Sequence, residues 1–209
     1  MTGRRATGPG RNATIGDYGL VGDTHTAALV GPDGSLDWLC LPRFDAGACF
    51  AALLGDPGHG RWRLAPVGDI GAGQRRYRPG TLVLETEMET AEGVVRLVDF
   101  MPPRGSHPRL VRVVEGVRGT VPMSMELRVR FDYGSIVPWV RRVDDSLRLV
   151  AGPDALTLRT PVATEGRELT TVADFVVTAG DRVPFVLSWH PSHEPPPAPL
   201  DAFVALAET

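Results

Sequence analysis

Lysine is absent from this sequence of 209 residues, and all 22 basic residues are arginine. Arginine suits carboxylates and polar ligands because its guanidinium is a fixed fork of donors. The simpler cause is a GC-rich coding bias, since alanine, glycine and proline are also abundant. The formal net charge is −3, so the basic run Arg75–Arg78 does not indicate a nucleic-acid-binding surface.

Cysteine is scarce, and long apolar runs are missing. The two cysteines, Cys40 and Cys49, have no nearby histidine pair for zinc, so we predict two small buried thiols, with a disulfide as the alternative, and no metal or other cofactor. The first residues lack the apolar core of roughly 7–15 residues that a secretory signal needs. No run approaches the roughly 18 apolar residues of a membrane span. We therefore expect a cytoplasmic protein without a membrane partner.

Long helical patterns are also missing. Only residues 46–55 show a helix-like pattern, which Gly55 and Pro57 end after one or two turns. Parallel strands need long crossover connections that are usually helical, so the sequence disfavours a parallel sheet. Instead, short apolar runs alternate with turns such as Gly31–Gly34, where Pro32 presets φ.

Alternation with a period of two dominates the rest of the chain. The clearest strand has its apolar residues on one side: Met123, Met125, Leu127, Val129 and Phe131. Another strand places Glu85, Glu87 and Glu89 on its solvent side. Turns recur at the spacing expected of a sandwich or barrel. We predict an all-β fold, a large antiparallel two-sheet β-sandwich of the supersandwich type with about ten to thirteen strands and one short helix near residues 46–55.

The chain divides into three segments. We predict that residues 1–13 form a flexible tail and that residues 14–192 form the sandwich. Residues 193–209 contain EPPPAPL, which cannot pair as a sheet and is typical of a stiff linker. They end in DAFVALAET, the first turns of a helix, and we expect this helix to begin a further domain that is missing here.

The segment Ile15–Gly55 is unusually dense in polar and aromatic side chains. Trp38 offers a flat apolar face to a sugar ring, and Arg43 and Asp45 offer charge-assisted hydrogen bonds to hydroxyl groups. The candidate contact residues for substrate or for another domain are Trp38, Arg43, Phe44 and Asp45, with Asp23, His25 and Asp37 as weaker candidates. The structural alternative is that Trp38 belongs to the core and that Arg43 pairs with Asp45 or Asp37.

No catalytic motif accompanies these residues. There is no glycine-rich phosphate loop before a helix and no Gly-x-Ser-x-Gly turn. His190 and His193 flank Pro191 next to a proline run, which indicates a loop rather than a metal site. A glycosidase needs two carboxylates at defined separations, and most aspartates here lie in turns. We therefore assign no catalytic residue and no metal ligand.

The stretch GDYGLVGDTHTAALVGPDGSLDWLCLPRFDAGACFAALLG resembles the amino-terminal opening of bacterial glycoside hydrolase family 15 proteins. These are glucoamylase-like enzymes and α,α-trehalases, including actinobacterial ones. The later stretches RYRPGTLVLETEMET, GVVRLVDFMP and PWV agree, so that the resemblance extends from about Ile15 to Trp189. It departs at Ala46 and Gly47, where Ser-Pro is more usual.

The resemblance implies a protein of two domains. Its β-sandwich would precede a catalytic α/α-barrel that carries two catalytic glutamates and works by inversion. This chain would be the non-catalytic sandwich of a hydrolase acting on α-linked glucose, either trehalose or malto-oligosaccharides, without a cofactor. Its partners would be that barrel and a glucose unit; whether it also forms a homo-oligomer is left open. Trp38, Arg43, Phe44 and Asp45 would then face the barrel and border its active site.

Two other functions stay open. A stand-alone carbohydrate-binding module should present several exposed aromatic side chains on one strand face, whereas the four tryptophans are scattered along the chain at Trp38, Trp62, Trp139 and Trp189. A purely structural assembly domain would dock on the barrel, and it differs from the main hypothesis only in whether Arg43 and Asp45 touch sugar.

Overall fold

A computed structural model describes residues 14–71 and 73–209; the predicted flexible tail lies outside this part. The described residues form fifteen strands and one α-helix. The strands are β1 Gly19–Gly22, β2 Ala27–Val30, β3 Ser35–Cys40, β4 Ala48–Phe50, β5 Arg61–Pro66, β6 Arg75–Tyr77, β7 Leu84–Glu89, β8 Gly93–Phe100, β9 Arg109–Arg128, β10 Trp139–Val143, β11 Ser146–Ala151, β12 Asp154–Arg159, β13 Glu165–Arg167, β14 Thr170–Thr178 and β15 Arg182–Pro191, and the helix is α1 Ala202–Glu208.

The strands pair antiparallel in two layers that share β9. The first layer contains β1 to β5, β13 and β14. The second layer contains β6 to β8, β10 to β12 and β15. The predicted all-β sandwich is therefore confirmed, although the two layers form one continuous sheet with more strands than expected.

Strand β9 joins the layers because it is long enough to pass through both. Its first half pairs with β8 and β15, and its second half pairs with β5 and β14. Two glycines lie at the crossing. Gly119 has a φ of 73°, and a Cβ on Gly116 would lie 2.1 Å from the Thr178 carbonyl oxygen. Only glycine fits both positions without strain.

The main core lies between the layers, and a second core lies under the helix. The alternating residues Met123 to Phe131 are buried in the main core, as predicted. Helix α1 confirms the helical pattern at the end of the chain. Ala202, Ala205 and Leu206 pack on the outer face of the second layer, and the Asp201 carboxylate caps the helix by accepting from the Phe203 amide at 2.8 Å.

The prediction of a helix over residues 46–55 is wrong. Ala48–Phe50 is strand β4, paired with β3, and Ala52–Leu54 is a single 3-10 turn. The apolar run is buried throughout Ala48–Phe50. A short apolar run of this kind has the same sequence pattern in a buried strand as in a buried helix.

The prediction that Glu85 faces solvent is also wrong. Its side chain is only 7% exposed and lies 2.9 Å from Arg76 and 2.8 Å from Arg78. Burial alone would raise the pKa of Glu85, but the hydrogen bonds from Arg78 and Arg76 bring it below its usual value. Glu87 is half-buried beside Arg96, whereas Glu89 is exposed, as predicted.

A buried ion pair connects the layers. Arg112 and Asp99, both 0% exposed in the second layer, lie 2.7 Å apart. The guanidinium also donates to the carbonyls of Trp62 at 2.7 Å and Gly34 at 2.8 Å in the first layer. It lies 5.2 Å from the centre of the Trp62 ring, so one charged group is satisfied by both layers.

We expect Arg112→Met to lower the free energy of unfolding by about 3–5 kcal/mol, because it leaves the Asp99 carboxylate buried without its partner. The matched control is Arg118→Met on the same strand, whose pair with Glu89 is exposed and should be worth less than about 1 kcal/mol. Urea denaturation followed by circular dichroism measures both. Equal losses in the two variants would contradict this role of Arg112.

Both cysteines are free and buried, as predicted. Burial raises the pKa of the Cys40 and Cys49 thiols, which suppresses the reactive thiolate. We therefore expect neither thiol of the native protein to react with a disulfide reagent at pH 8, and both to react after denaturation. Rapid reaction of the native protein would show that residues near Cys40 and Cys49 open to solvent.

Candidate functional site

The residues that follow β3 form a tight loop, Leu41–Ala46. The chain enters it through a cis peptide bond between Leu41 and Pro42. The Phe44 amide donates to the His25 carbonyl at 3.0 Å, and the Ala46 amide donates to the Arg43 carbonyl at 3.2 Å. The loop is thus fastened through its backbone to the connection between β1 and β2.

A buried carboxylate holds that connection. Asp23 accepts from Arg104 Nε at 2.6 Å and Nη2 at 3.1 Å, and from the amides of His25 at 3.1 Å and Thr26 at 3.0 Å. Arg104 also donates to the Pro42 carbonyl at 2.9 Å. Arg104 is 81 residues from Asp23 in the sequence, so no local pattern indicates this contact.

Two more of the weaker candidates have local structural partners. His25 is exposed, and it holds the loop through its carbonyl rather than its ring. Asp37 accepts from the Tyr18 hydroxyl at 2.6 Å and from the Ser35 hydroxyl at 2.8 Å. Burial and this bond from the hydroxyl to Asp37 raise the pKa of Tyr18. Asp37 therefore anchors the segment before β1.

Three of the four main candidates point into solvent. The side chains of Arg43 and Asp45 are 67% and 74% exposed and lie 3.0 Å apart, and Phe44 is 61% exposed. The hydrogen bond from Arg43 lowers the pKa of Asp45, which keeps the carboxylate charged. Arg43 thus pairs with Asp45, as the structural alternative predicted. An ion pair this exposed contributes little to stability.

Trp38 is half-buried and shares its surroundings with a tyrosine from a distant loop. Its ring packs beside Cys40, Ala48 and Ala51 and lies 6.1 Å from the Tyr133 ring. The Tyr133 amide donates to the Ala48 carbonyl at 3.2 Å, and its hydroxyl donates to the Ala46 carbonyl at 3.4 Å. Tyr133 therefore supports the end of the Leu41–Ala46 loop.

The loop that carries Tyr133 has an unusual backbone. Asp132, Tyr133 and Gly134 have φ values of 50°, 57° and 105°. Aspartate and glycine tolerate this left-handed region, whereas a bulky residue such as tyrosine is strained there. Such strain is found mainly at functional sites. The alternating pattern predicts strand as far as Tyr133, but β9 ends at Arg128; the Asp-Tyr-Gly sequence is the signal that could have indicated this loop.

Comparison with known proteins identifies the family. The family described as "Trehalase-like, N-terminal" matches residues 3–189. The chain belongs to this family. A trehalase of Mycolicibacterium smegmatis is 35% identical over 85% of this chain and 31% of its own length. A trehalase of Mycobacterium tuberculosis is 34% identical over 90% of this chain and 31% of its own length. Trehalase 1 of Sulfolobus acidocaldarius is 32% identical over 70% of this chain and 25% of its own length.

This trehalase-like domain thus spans 31% of the length of the two mycobacterial relatives. The trehalase part of the resemblance is confirmed, whereas membership of glycoside hydrolase family 15 and the roles of the candidate residues stay predictions.

An open groove of about 660 Å³ lies beside the Arg104 anchor of the domain. Asp23, Tyr77, Arg78 and Arg104 line it, together with Thr209 of the helical end. Arg104 links this groove to the Leu41–Ala46 loop, because it also donates to the Pro42 carbonyl.

Within residues 14–71 and 73–209, no group of three or more histidine, cysteine or acidic side chains is arranged to hold a metal ion. His190 is buried with its Nε2 atom 3.1 Å from the Thr157 hydroxyl, whereas His193 is exposed. No helix in the described part of the chain is both long and apolar enough to span a membrane.

We expect Arg104→Met to loosen the Leu41–Ala46 loop and to lower the free energy of unfolding by about 3–5 kcal/mol, because Asp23 would stay buried without its cation. Hydrogen exchange at the Phe44 amide should become faster in the folded state. In the control variant Arg43→Met, stability should change by less than about 0.5 kcal/mol. Unchanged exchange at Phe44 in Arg104→Met would contradict the anchoring role.

Proposed function

We propose that this chain is the non-catalytic amino-terminal domain of a glycoside hydrolase of family 15 that cleaves α-linked glucose, with trehalose as the first substrate and malto-oligosaccharides as the second. The supporting observation is the Leu41–Ala46 loop. Its backbone is held by His25, Arg104 and Tyr133, yet it turns Arg43, Phe44 and Asp45 into solvent. The trehalases among its relatives support the choice of substrate.

The catalytic carboxylates would lie on an α/α-barrel in the remainder of the polypeptide. A general acid that protonates a glycosidic oxygen needs a raised pKa. Glu85, the buried glutamate near the groove, has a lowered pKa because two arginines bind it, so it is held as a carboxylate. Asp23 and Asp99 are likewise occupied by arginine. These groups stabilise the domain and are poor candidates for the acid.

The loop would border the active site in three ways. Arg43 would donate hydrogen bonds to sugar hydroxyls, Asp45 would accept them, and Phe44 would exclude water. When the barrel covers the loop, these charge-assisted bonds would become stronger because the local dielectric constant falls. A backbone fixed before binding reduces the entropy lost when substrate enters. A purely structural role would leave Arg43 and Asp45 in contact with protein alone.

A stand-alone carbohydrate-binding module is less well supported. Trp62 is 0% exposed and Trp38 is half-buried. Trp139 and Phe44 are exposed, but Trp139 lies on the edge strand β10 and Phe44 on the loop after β3. Such an arrangement lacks the row of aromatic side chains on one strand face that a flat sugar chain would need.

The test is Arg43→Ala in the full-length parent protein. We expect kcat/KM for trehalose to fall by a factor of about 5 to 150, since a buried polar partner left unpaired costs about 1–3 kcal/mol. The melting temperature of the 209-residue chain should stay unchanged by the same substitution, because the Arg43 side chain is exposed in this domain. Arg118→Ala, another exposed and paired arginine, is the matched control.

Unchanged kinetics in Arg43→Ala would reduce the loop to a structural role. A parent protein that releases no glucose from trehalose or malto-oligosaccharides would overturn the proposed function as a whole. We expect the 209-residue chain alone to release none, and enzymatic turnover by it would contradict the non-catalytic assignment.

A further inference from the structure

Four exposed apolar residues lie together at one edge of the sandwich. Trp139 is 87% exposed, Leu169 72%, Val140 46% and Val137 44%. They line a cleft of about 350 Å³. We call these four residues the edge patch. Single exposed apolar residues are ordinary, whereas a contiguous group of large ones marks an interaction surface.

The edge patch lies where the sandwich is open. Among the described strands, β10 ends the second layer and pairs only with β11, while the β13–β14 hairpin ends the first layer. Leu127, Val129 and Leu149 of the main core also line the cleft. An apolar side chain from outside could therefore reach the edge of the core.

The turn of the β13–β14 hairpin contains residues that rarely adopt its backbone conformation. Glu168 and Leu169 occupy the two turn positions with φ values of 48° and 58°. Turns of this kind favour asparagine and glycine, whereas leucine is strained there and exposes its side chain to water. Neither the turn nor the core of this domain requires leucine at this position, which points to a contact made elsewhere.

We propose that the edge patch is a docking surface for the carboxy-terminal domain of the same polypeptide, an inference that rests on the proposed function. The mycobacterial relatives extend well beyond the 31% of their length that this chain spans, so their polypeptides contain enough residues for such a domain. That domain would insert a large apolar side chain into the cleft.

Continuity with the candidate site favours this occupant. Tyr133 contacts Ala46 and Ala48 at the end of the loop. Four residues further along the chain, Val137 belongs to the edge patch. On the other side of the loop, Arg104 connects Pro42 to the groove lined by Thr209. The Leu41–Ala46 loop is thus linked through Arg104 to the groove at Thr209, and through the chain after Tyr133 to the edge patch.

Charge disfavours a second copy of this chain as the occupant. Strand β10 carries the exposed residues Arg141 and Arg142, and two copies paired edge to edge would bring like charges together. A partner surface that places a carboxylate opposite Arg141, and none opposite Glu168 in the cleft lining, would match the rim instead.

Hydroxyl-radical footprinting of the 209-residue chain and of the full-length parent tests this docking. We expect oxidation of Trp139 and Leu169 to fall at least fivefold in the parent. Val176, which is 59% exposed on β14, is the internal control and should change less than twofold. Equal oxidation of the edge patch in both proteins would overturn the proposal. Concentration-dependent protection in the 209-residue chain would also overturn it, because the occupant would then be a second copy.

A substitution separates docking from folding. Leu169→Asn suits the turn, so the 209-residue chain should keep or gain stability, while in the parent the variant should restore oxidation of Trp139. Continued protection of Trp139 would contradict the proposal. Glucose release by the unmodified parent reports separately on the proposed function: a parent that cleaves trehalose but leaves the edge patch unprotected refutes the docking alone.

Discussion

The passage of strand β9 through both layers is the constraint on which the rest of the structure depends. Because β9 belongs to both sheets, the layers cannot slide relative to each other without breaking its pairing. Arg112 on this strand is satisfied by Asp99 in its own layer and by carbonyls of the other. A buried cation bound in this way favours one alignment of the layers, since any other would remove the two carbonyls that accept from its guanidinium.

That alignment positions the candidate site. Arg104 follows β8 and holds both Asp23 and the Pro42 carbonyl, and Tyr133 follows β9 and holds Ala46. The Leu41–Ala46 loop is therefore supported from elements that are distant in sequence. Its rigid backbone and its solvent-facing side chains together favour a contact role over a folding role, because the exposed Arg43–Asp45 pair adds little to stability.

Much of the fold could be predicted from the sequence, because a half-buried strand shows alternating apolar and polar residues. The Met123–Phe131 face, the buried cysteines and the helix at the end of the chain followed from local pattern. The buried strand Ala48–Phe50 did not, since an apolar run without alternation fits two structures. Arg104, Tyr133 and the partners of Glu85 were missed because they come from other elements. Charge alone does not tell which arginine will meet a given carboxylate.

The central claim is that a preformed loop of this domain reaches the sugar-binding site of a larger hydrolase. A crystal structure of the parent protein with glucose or a trehalose analogue bound tests it most directly. The account predicts an Arg43 guanidinium nitrogen or an Asp45 carboxylate oxygen at hydrogen-bond distance, roughly 2.7–3.2 Å, from a sugar hydroxyl. A loop that faces bulk solvent, or a sugar bound by the barrel alone, would contradict it.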